Sequence, residues 1–151
     1  MPDNRADVAK AAAELNRSVR GAAVRWSNRE TRRWSDGEDD LETGSLEFSV
    51  RAKSLGGIID SAAFVRVFAP EGSLHFDVGL QFHIEGELDA ADTVVAEFGR
   101  KFAAPLLLSH LRGAVSTECL VMGWDTIVLP PSLEEAVLDL SDDVIIGKAT
   151  S

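Results

Sequence analysis

The sequence predicts an α+β fold: a four-stranded antiparallel meander sheet with a long helix and a short C-terminal helix packed on one face, plus an N-terminal helix. Residues 74–87 alternate between apolar and polar side chains, as a strand with one solvent-exposed face does. Three earlier stretches also have strand patterns, and their connections are too short to contain crossover helices. After residue 89 the apolar spacing becomes helical.

Composition limits the classes of partner. The net charge of −10 opposes association with nucleic acid and with anionic membranes, so we expect protein partners. A single cysteine, Cys119, cannot form an internal disulfide, and no signal peptide or membrane-length apolar run is present. The sequence therefore predicts one cytoplasmic domain over residues 1–151, with residues 1–17 as a peripheral helix and 142–151 as a tail.

The first predicted strand, residues 18–34, is rich in arginine. Ala22, Val24 and Trp26 share one face, and the opposite face is polar, with Arg25, Ser27, Arg29, Thr31 and Arg33. This run suggests nucleic-acid binding, which the acidic remainder of the chain opposes. The alternative is that the arginines stand opposite carboxylates on neighbouring strands.

The next segments complete the sheet. Residues 35–45 form a polar, acidic loop in which Leu41 is the apolar exception. Residues 46–53 alternate, with Leu46 and Phe48 on the apolar face, and residues 61–69 are apolar on both faces, as in a covered or central strand. The long strand is expected to bend or bulge at Gly79 and Gly86.

Helical spacing dominates the C-terminal half. Asp89 or Asp92 is placed to cap a first helix, which Pro105 either ends or extends into a second helix. The second helix has an apolar stripe that should cover the long strand, formed by Leu108, Leu111, Val115, Cys119 and Met122. Ser132 and Glu135 have the spacing of a capping box before the short final helix.

A second stripe on the long helix consists mostly of small residues, namely Ser109, Gly113, Ser116 and Leu120. Small side chains allow two helices to approach closely, so we expect this face to contact another subunit. The alternative is that Gly113 is only a tolerated, slightly destabilising glycine.

No pattern indicates catalysis, a cofactor or a metal site. His75 and His83 are about 27 Å apart along an extended strand, too far to bind one ion, and His110 lies on a helix. The nucleophile, phosphate-loop and zinc-protease motifs are absent. We therefore expect a protein that is not an enzyme. Large apolar residues in edge and connecting segments mark either a protein contact or the core.

Residues 106–133, LLLSHLRGAVSTECLVMGWDTIVLPPSL, resemble the SecB export-chaperone family and its SecB-like relatives. In that family a "PYxRE" motif opens the long helix, and an "LxLPP" or "LAP" connector leads to a short final helix. Residues 109–113 stand where the opening would be, with Ser109 in place of the proline and Gly113 in place of the glutamate. Leu129, Pro130 and Pro131 match the connector, and the order of elements matches over residues 18–140.

The resemblance implies an ATP-independent holdase that binds unfolded chains in apolar grooves, assembled through its long helices as a homotetramer, a dimer of dimers. The grooves are formed by the crossover loop between strands one and two and by the helix connector. The client-binding residues are then Trp34, Leu41, Leu46, Phe48, Trp124, Ile127, Val128 and Leu129. Some relatives are dedicated chaperones of antitoxins, and the N-terminal helix is consistent with that role.

Other interpretations stay open. The chain lacks the family's zinc-associated tail, which leaves docking to the export motor SecA in doubt. If a partner docks on the polar face of the long strand, we expect Asp77 and Glu85 to contribute by charge. A small-ligand-binding α+β domain with a pocket lined by Phe76, Phe82 and Trp124 is one alternative, and a purely structural oligomer with the same fold is another.

Overall fold

The computed structural model describes residues 5–34, 44–86 and 90–147. The elements in chain order are α1 Arg5–Arg17, β1 Val19–Arg33, β2 Leu46–Leu55, β3 Ile58–Phe68, β4 Gly72–Ile84, α2 Asp92–Phe98, a π-helical segment Gly99–Ala103, α3 Ala104–Met122, α4 Leu133–Leu138 and α5 Asp142–Ile146. They confirm the α+β class, with a four-stranded antiparallel sheet, a long helix, short C-terminal helices and an N-terminal helix. Among the described residues, no helix combines the length and apolar character that a membrane span requires.

The sheet has the strand order β1-β4-β3-β2, and each neighbouring pair is antiparallel. Strands β2, β3 and β4 form the predicted meander, but β1 pairs with β4, so the meander prediction is wrong for β1. The stretch between β1 and β2, residues 34–45, is much longer than the turns between the later strands, so β2 need not pair with β1. β1 and β2 therefore lie at opposite edges, which agrees with the crossover that the SecB resemblance implies.

The irregularities of the sheet lie on β1. The ladder between β1 and β4 shifts register between Val19 and Gly21 and again between Trp26 and Asn28. Gly79 has regular partners on both sides, so the prediction of a bend there is wrong. The other predicted bend is confirmed, because Gly86 has a φ of +81° just after β4 ends.

The second shift exchanges the two faces of β1. Arg29 and Thr31 stand opposite the buried Phe76 and Leu74, on the helix side of the sheet. Their predicted position on the outer face with Arg25 is therefore wrong. The physical reason is the extra residue of the bulge, since one added residue moves every later side chain to the opposite face.

The core lies between the sheet and the helices. The apolar face of β4 is at most 3% exposed at each of its five central positions, Leu74, Phe76, Val78, Leu80 and Phe82. Strand β3 is central, between β4 and β2, which accounts for its apolar character on both faces. The predicted stripe of α3 is confirmed, with four members fully buried, Leu108, Leu111, Val115 and Cys119, and Met122 half-buried.

Helices α2 and α3 are joined by the π-helical segment without a break. Pro105 lies at the start of α3 and lacks the amide that a continuous helix would use there. Directly before it, the amide of Ala104 bonds to the carbonyl of Gly99, which is the i to i−5 pattern of a π-helix. Gly99 packs closely on β2 and α5, because a Cβ atom there would lie 2.9 Å from Ala52 Cβ and 3.2 Å from Ile145 Cγ2. Buried residues recur five positions apart across this segment, from Phe98 to Ala103 and from Gly99 to Ala104, and three or four positions apart in α3.

The predicted caps differ from the observed ones. Ser132 has helical backbone angles and its side chain makes no capping bond, so the capping box is wrong. A serine caps from an extended conformation, which Ser141 has at the start of α5, where its Oγ accepts from the Val144 amide at 3.3 Å. Helix α2 begins after Ala91, so Asp92 lies in its first turn instead of capping it, and Asp89 lies outside the described residues.

Replacing Gly99 with alanine should destabilise the protein by about 1–3 kcal/mol, because the added methyl group overpacks the contact with Ala52 and Ile145. Chemical denaturation measures the change. Gly57→Ala is the matched control, since a Cβ atom there meets no heavy atom within 4 Å. Equal stability of the two variants would contradict the tight packing at Gly99.

Ser61→Ala should leave the stability unchanged or raise it by about 1 kcal/mol, because the Ser61 side chain is fully buried and its hydroxyl has no hydrogen-bond partner among the described residues. The reverse change on the same face of β3, Ala63→Ser, should cost about 1–3 kcal/mol. Thermal unfolding of both variants tests the pair, and a marked loss of stability in Ser61→Ala would show that the hydroxyl is satisfied.

Candidate functional site

The connector between α3 and α4, residues 123–132, is anchored at both ends. Helix α3 ends at Gly123 in the left-handed conformation, and the Trp124 amide bonds back to the Cys119 carbonyl at 2.9 Å. Trp124 is 7% exposed and Leu129 is 3% exposed, and both belong to the core. These two predicted client-binding residues therefore fix the connector to the domain in the single chain.

The middle of the connector turns apolar surface outward. Val128 is 77% exposed and Ile127 is half-buried. The arginine Arg33 reaches this region from β1, where its guanidinium lies 5.9 Å from the centre of the Trp124 ring and donates to the Met122 carbonyl at 3.1 Å. Of the connector residues predicted to contact clients, Val128 is the most accessible.

Arg112 joins the connector to both flanking helices. Its guanidinium donates to the two carboxylate oxygens of Glu134, at 2.8 and 2.6 Å, and to the Pro130 carbonyl at 3.0 Å. The pair is half-exposed, and its bidentate geometry fixes the plane of the guanidinium. The resemblance to the opening motif included Arg112, but the sequence alone did not indicate these contacts.

Hydrogen bonding to Arg112 is the main reason why the pKa of Glu134 lies below its usual value, and the same bonds raise the pKa of Arg112. A carboxyl group with a lowered folded-state pKa stabilises the fold above its unfolded pKa. That contribution is lost as the pH falls through the lowered pKa. The ion pair is therefore present at neutral pH and weakens only under acidic conditions.

The predicted groove residues at the two ends of the crossover between β1 and β2 lie on different faces of the sheet. Trp34 is half-buried, stacks on Phe68 with centroids 6.5 Å apart, and donates its indole N–H to the Ala69 carbonyl at 2.8 Å. Leu46 and Phe48 are half-buried on β2 and pack against the core. Leu41 lies outside the described residues. The contacts of Trp34 thus place it on the helix-free side of the sheet, apart from the connector.

The predicted subunit-contact stripe of α3 is exposed along its length. Ser109, Gly113 and Ser116 face outward, Leu120 is 83% exposed, and a Cβ atom at Gly113 would meet open space. Leu106, which is 49% exposed, extends the stripe and was missed in the sequence. Its spacing of three residues from Ser109 was the available signal. Val121 is 72% exposed but lies about 100° round the helix from Leu120.

The helix-free face of the sheet holds the predicted docking residues. Asp77 Oδ2 lies 3.4 Å from His75 Nε2, and Glu85 pairs with Arg20. Glu85 thus has a cationic neighbour within the chain, which reduces its net attraction for a basic partner. The sequence suggested that arginines of β1 stand opposite carboxylates, and the contact between Arg20 and Glu85 is an ion pair of that kind.

The aromatic rings proposed to line a ligand pocket are packed against other side chains. Phe76 packs edge-on against Trp26, and Phe82 against Phe98, so the rings proposed to line a ligand pocket contact protein side chains. A cavity of about 940 Å³ lies elsewhere, between α1, α2 and α5, with Arg100 and its ion pairs in its wall. The described residues contain no cluster of three potential metal ligands.

Comparison with known proteins finds structural relatives only. No protein-family model and no curated protein matches the chain. The SecB-like chaperone Rv1957 of Mycobacterium tuberculosis, solved with a ChAD peptide from the Rv1956 HigA1 antitoxin, has a TM-score of 0.63 at 14% identity, covering 83% of this chain and 95% of that chain. A protein of unknown function from Streptococcus agalactiae has a TM-score of 0.52 at 9% identity, covering 73% and 97%. These similarities show that the chain has a SecB-like fold.

Proposed function

We propose that the protein is an ATP-independent, SecB-like holdase of the cytoplasm that binds unfolded or nascent polypeptides and has no catalytic activity. The observation that carries this proposal is the exposed apolar surface at Val128, held between the buried anchors Trp124 and Leu129 in a SecB-like fold. Single exposed apolar side chains are common on protein surfaces, whereas neighbouring ones that form a patch mark contact sites, and Val128 has the half-buried Ile127 beside it in the chain. Ile127 and Val128 are the primary client contacts in this proposal.

A dedicated antitoxin client is the specialised form of the proposal. The structural neighbour from M. tuberculosis carries an antitoxin peptide, which supports a peptide client for a chain of the same fold. Many weak apolar contacts suit such a client, because they hold an extended chain without requiring one sequence. The net charge of −10 helps to keep the loaded assembly soluble.

The exposed stripe on α3 is the proposed subunit contact. Ser109, Gly113 and Ser116 permit a close approach, and Leu106 and Leu120 supply apolar area. A homotetramer, built as a dimer of dimers through α3, would bury these side chains and leave the connector at the rim. Docking of a partner such as SecA at Asp77 and Glu85 has less support within this proposal. Glu85 already pairs with Arg20, and Asp77 lies beside His75.

Val128→Asp should weaken binding of guanidinium-unfolded citrate synthase about tenfold, since a charge replaces the apolar contact. Aggregation of the client, followed by light scattering without ATP, measures the effect. Val144→Asp is the matched control, because Val144 is also exposed but lies on α5. Undiminished protection by Val128→Asp, or no protection by the wild-type protein, would contradict the proposed site or function, respectively.

Gly113→Leu should lower the oligomeric mass, because the bulky side chain separates helices that the glycine allows to touch. Light-scattering chromatography gives the mass, and Glu135→Leu on α4 controls for the addition of an exposed leucine elsewhere. A wild-type monomer, or a Gly113→Leu tetramer, would exclude assembly through this stripe.

A further inference from the structure

The middle of the connector is held by side-chain packing and has few backbone restraints. Residues 125–129 make no backbone-to-backbone hydrogen bond with the rest of the described chain. The bonds at the ends join the Trp124 amide to the Cys119 carbonyl and the Leu133 amide to the Pro130 carbonyl. A segment of this kind needs a further contact to hold Val128 in one position.

A contact to the Pro130 carbonyl can fix the position of Val128. Pro130 and Pro131 both have a fixed φ angle, and each restricts the residue before it, so residues 129–131 form a stiff piece of chain. Arg112 donates to the Pro130 carbonyl, and Glu134, which lies on α4 after the connector, accepts two hydrogen bonds from the same guanidinium. This carbonyl belongs to the peptide bond between Pro130 and Pro131, so a contact that fixes it also fixes the stiff piece of chain whose first residue, Leu129, is bonded to Val128.

We propose that Arg112 is a positioning residue, oriented by Glu134, that holds the connector in the conformation in which Ile127 and Val128 receive a client. This inference rests on the proposed holdase function and identifies what prepares its binding surface. A half-exposed ion pair contributes little to the stability of the whole fold. Its loss should therefore change the connector far more than it changes global unfolding.

The competing explanation is that Arg112 and Glu134 only join α3 to α4. The charge-swapped variant Arg112→Glu/Glu134→Arg separates the two explanations. It restores an ion pair between the helices, but the group at position 112 then has no donor for the Pro130 carbonyl. A simple interhelical contact is rescued by this swap, whereas the positioning of Pro130 is not.

The experiment compares Arg112→Lys, the charge-swapped variant and the wild-type protein. A nitroxide on Thr126→Cys, which is exposed, reports the mobility of the connector, and the native Cys119 is buried. Affinity for unfolded citrate synthase is measured in parallel by fluorescence anisotropy, on proteins without the label. We expect greater nitroxide mobility and roughly tenfold weaker client binding in both variants, because the side chain at position 112 can no longer donate to the Pro130 carbonyl while it also holds a bidentate contact with residue 134.

Arg20→Lys is the matched control, since Arg20 also pairs with a glutamate but lies on β1, away from the connector. Wild-type mobility and affinity in the charge-swapped variant would overturn the proposal, as would a mobile connector with undiminished client binding. Thermal unfolding of every variant excludes loss of the fold as the cause. If the wild-type protein binds no client, the proposed function fails, and the nitroxide data alone decide whether Arg112 holds the connector.

Discussion

The burial of the apolar face of β4 is the interaction on which the rest of the structure depends. The central position of the strand requires that β1 and β3 pair with its two edges, and α3 lies across its buried side chains. The removal of this face from water is the main stabilising contribution here, since apolar burial dominates the favourable free energy of folding. Trp124 attaches the connector to the same core, so the position of the strand also determines the position of the connector.

Strong periodic signals made most of the fold predictable. The alternation of β4 and the stripe from Leu108 to Cys119 are local patterns that report directly which side chains are buried. The partner of β1 was not predictable in the same way, because the long stretch between β1 and β2 leaves more than one pairing open. The bulge at Trp26 and Asn28 leaves no clear trace in composition, yet it determines which side of the sheet receives Arg29 and Thr31.

The candidate site was predictable only in part. An apolar connector ending in two prolines was visible in the sequence, and Val128 is indeed outward-facing. Hydrophobicity alone does not distinguish Val128 from the buried Trp124 and Leu129, because all three favour leaving water. The role of Arg112 depended on a contact across 22 positions of the chain, which spacing within one helix does not reveal.

The π-helical segment determines the rotational setting of α3. In an α-helix each residue turns the chain by about 100°, so one residue more or fewer between α2 and the sheet-facing stripe would rotate the later helix by that angle. The five-residue step from Phe98 to Ala103 absorbs this rotation, and the stripes of both helices face the same core. The wider turn beside Gly99 thereby decides which side of α3 is presented to the outside, including the face that carries Gly113 and Leu120.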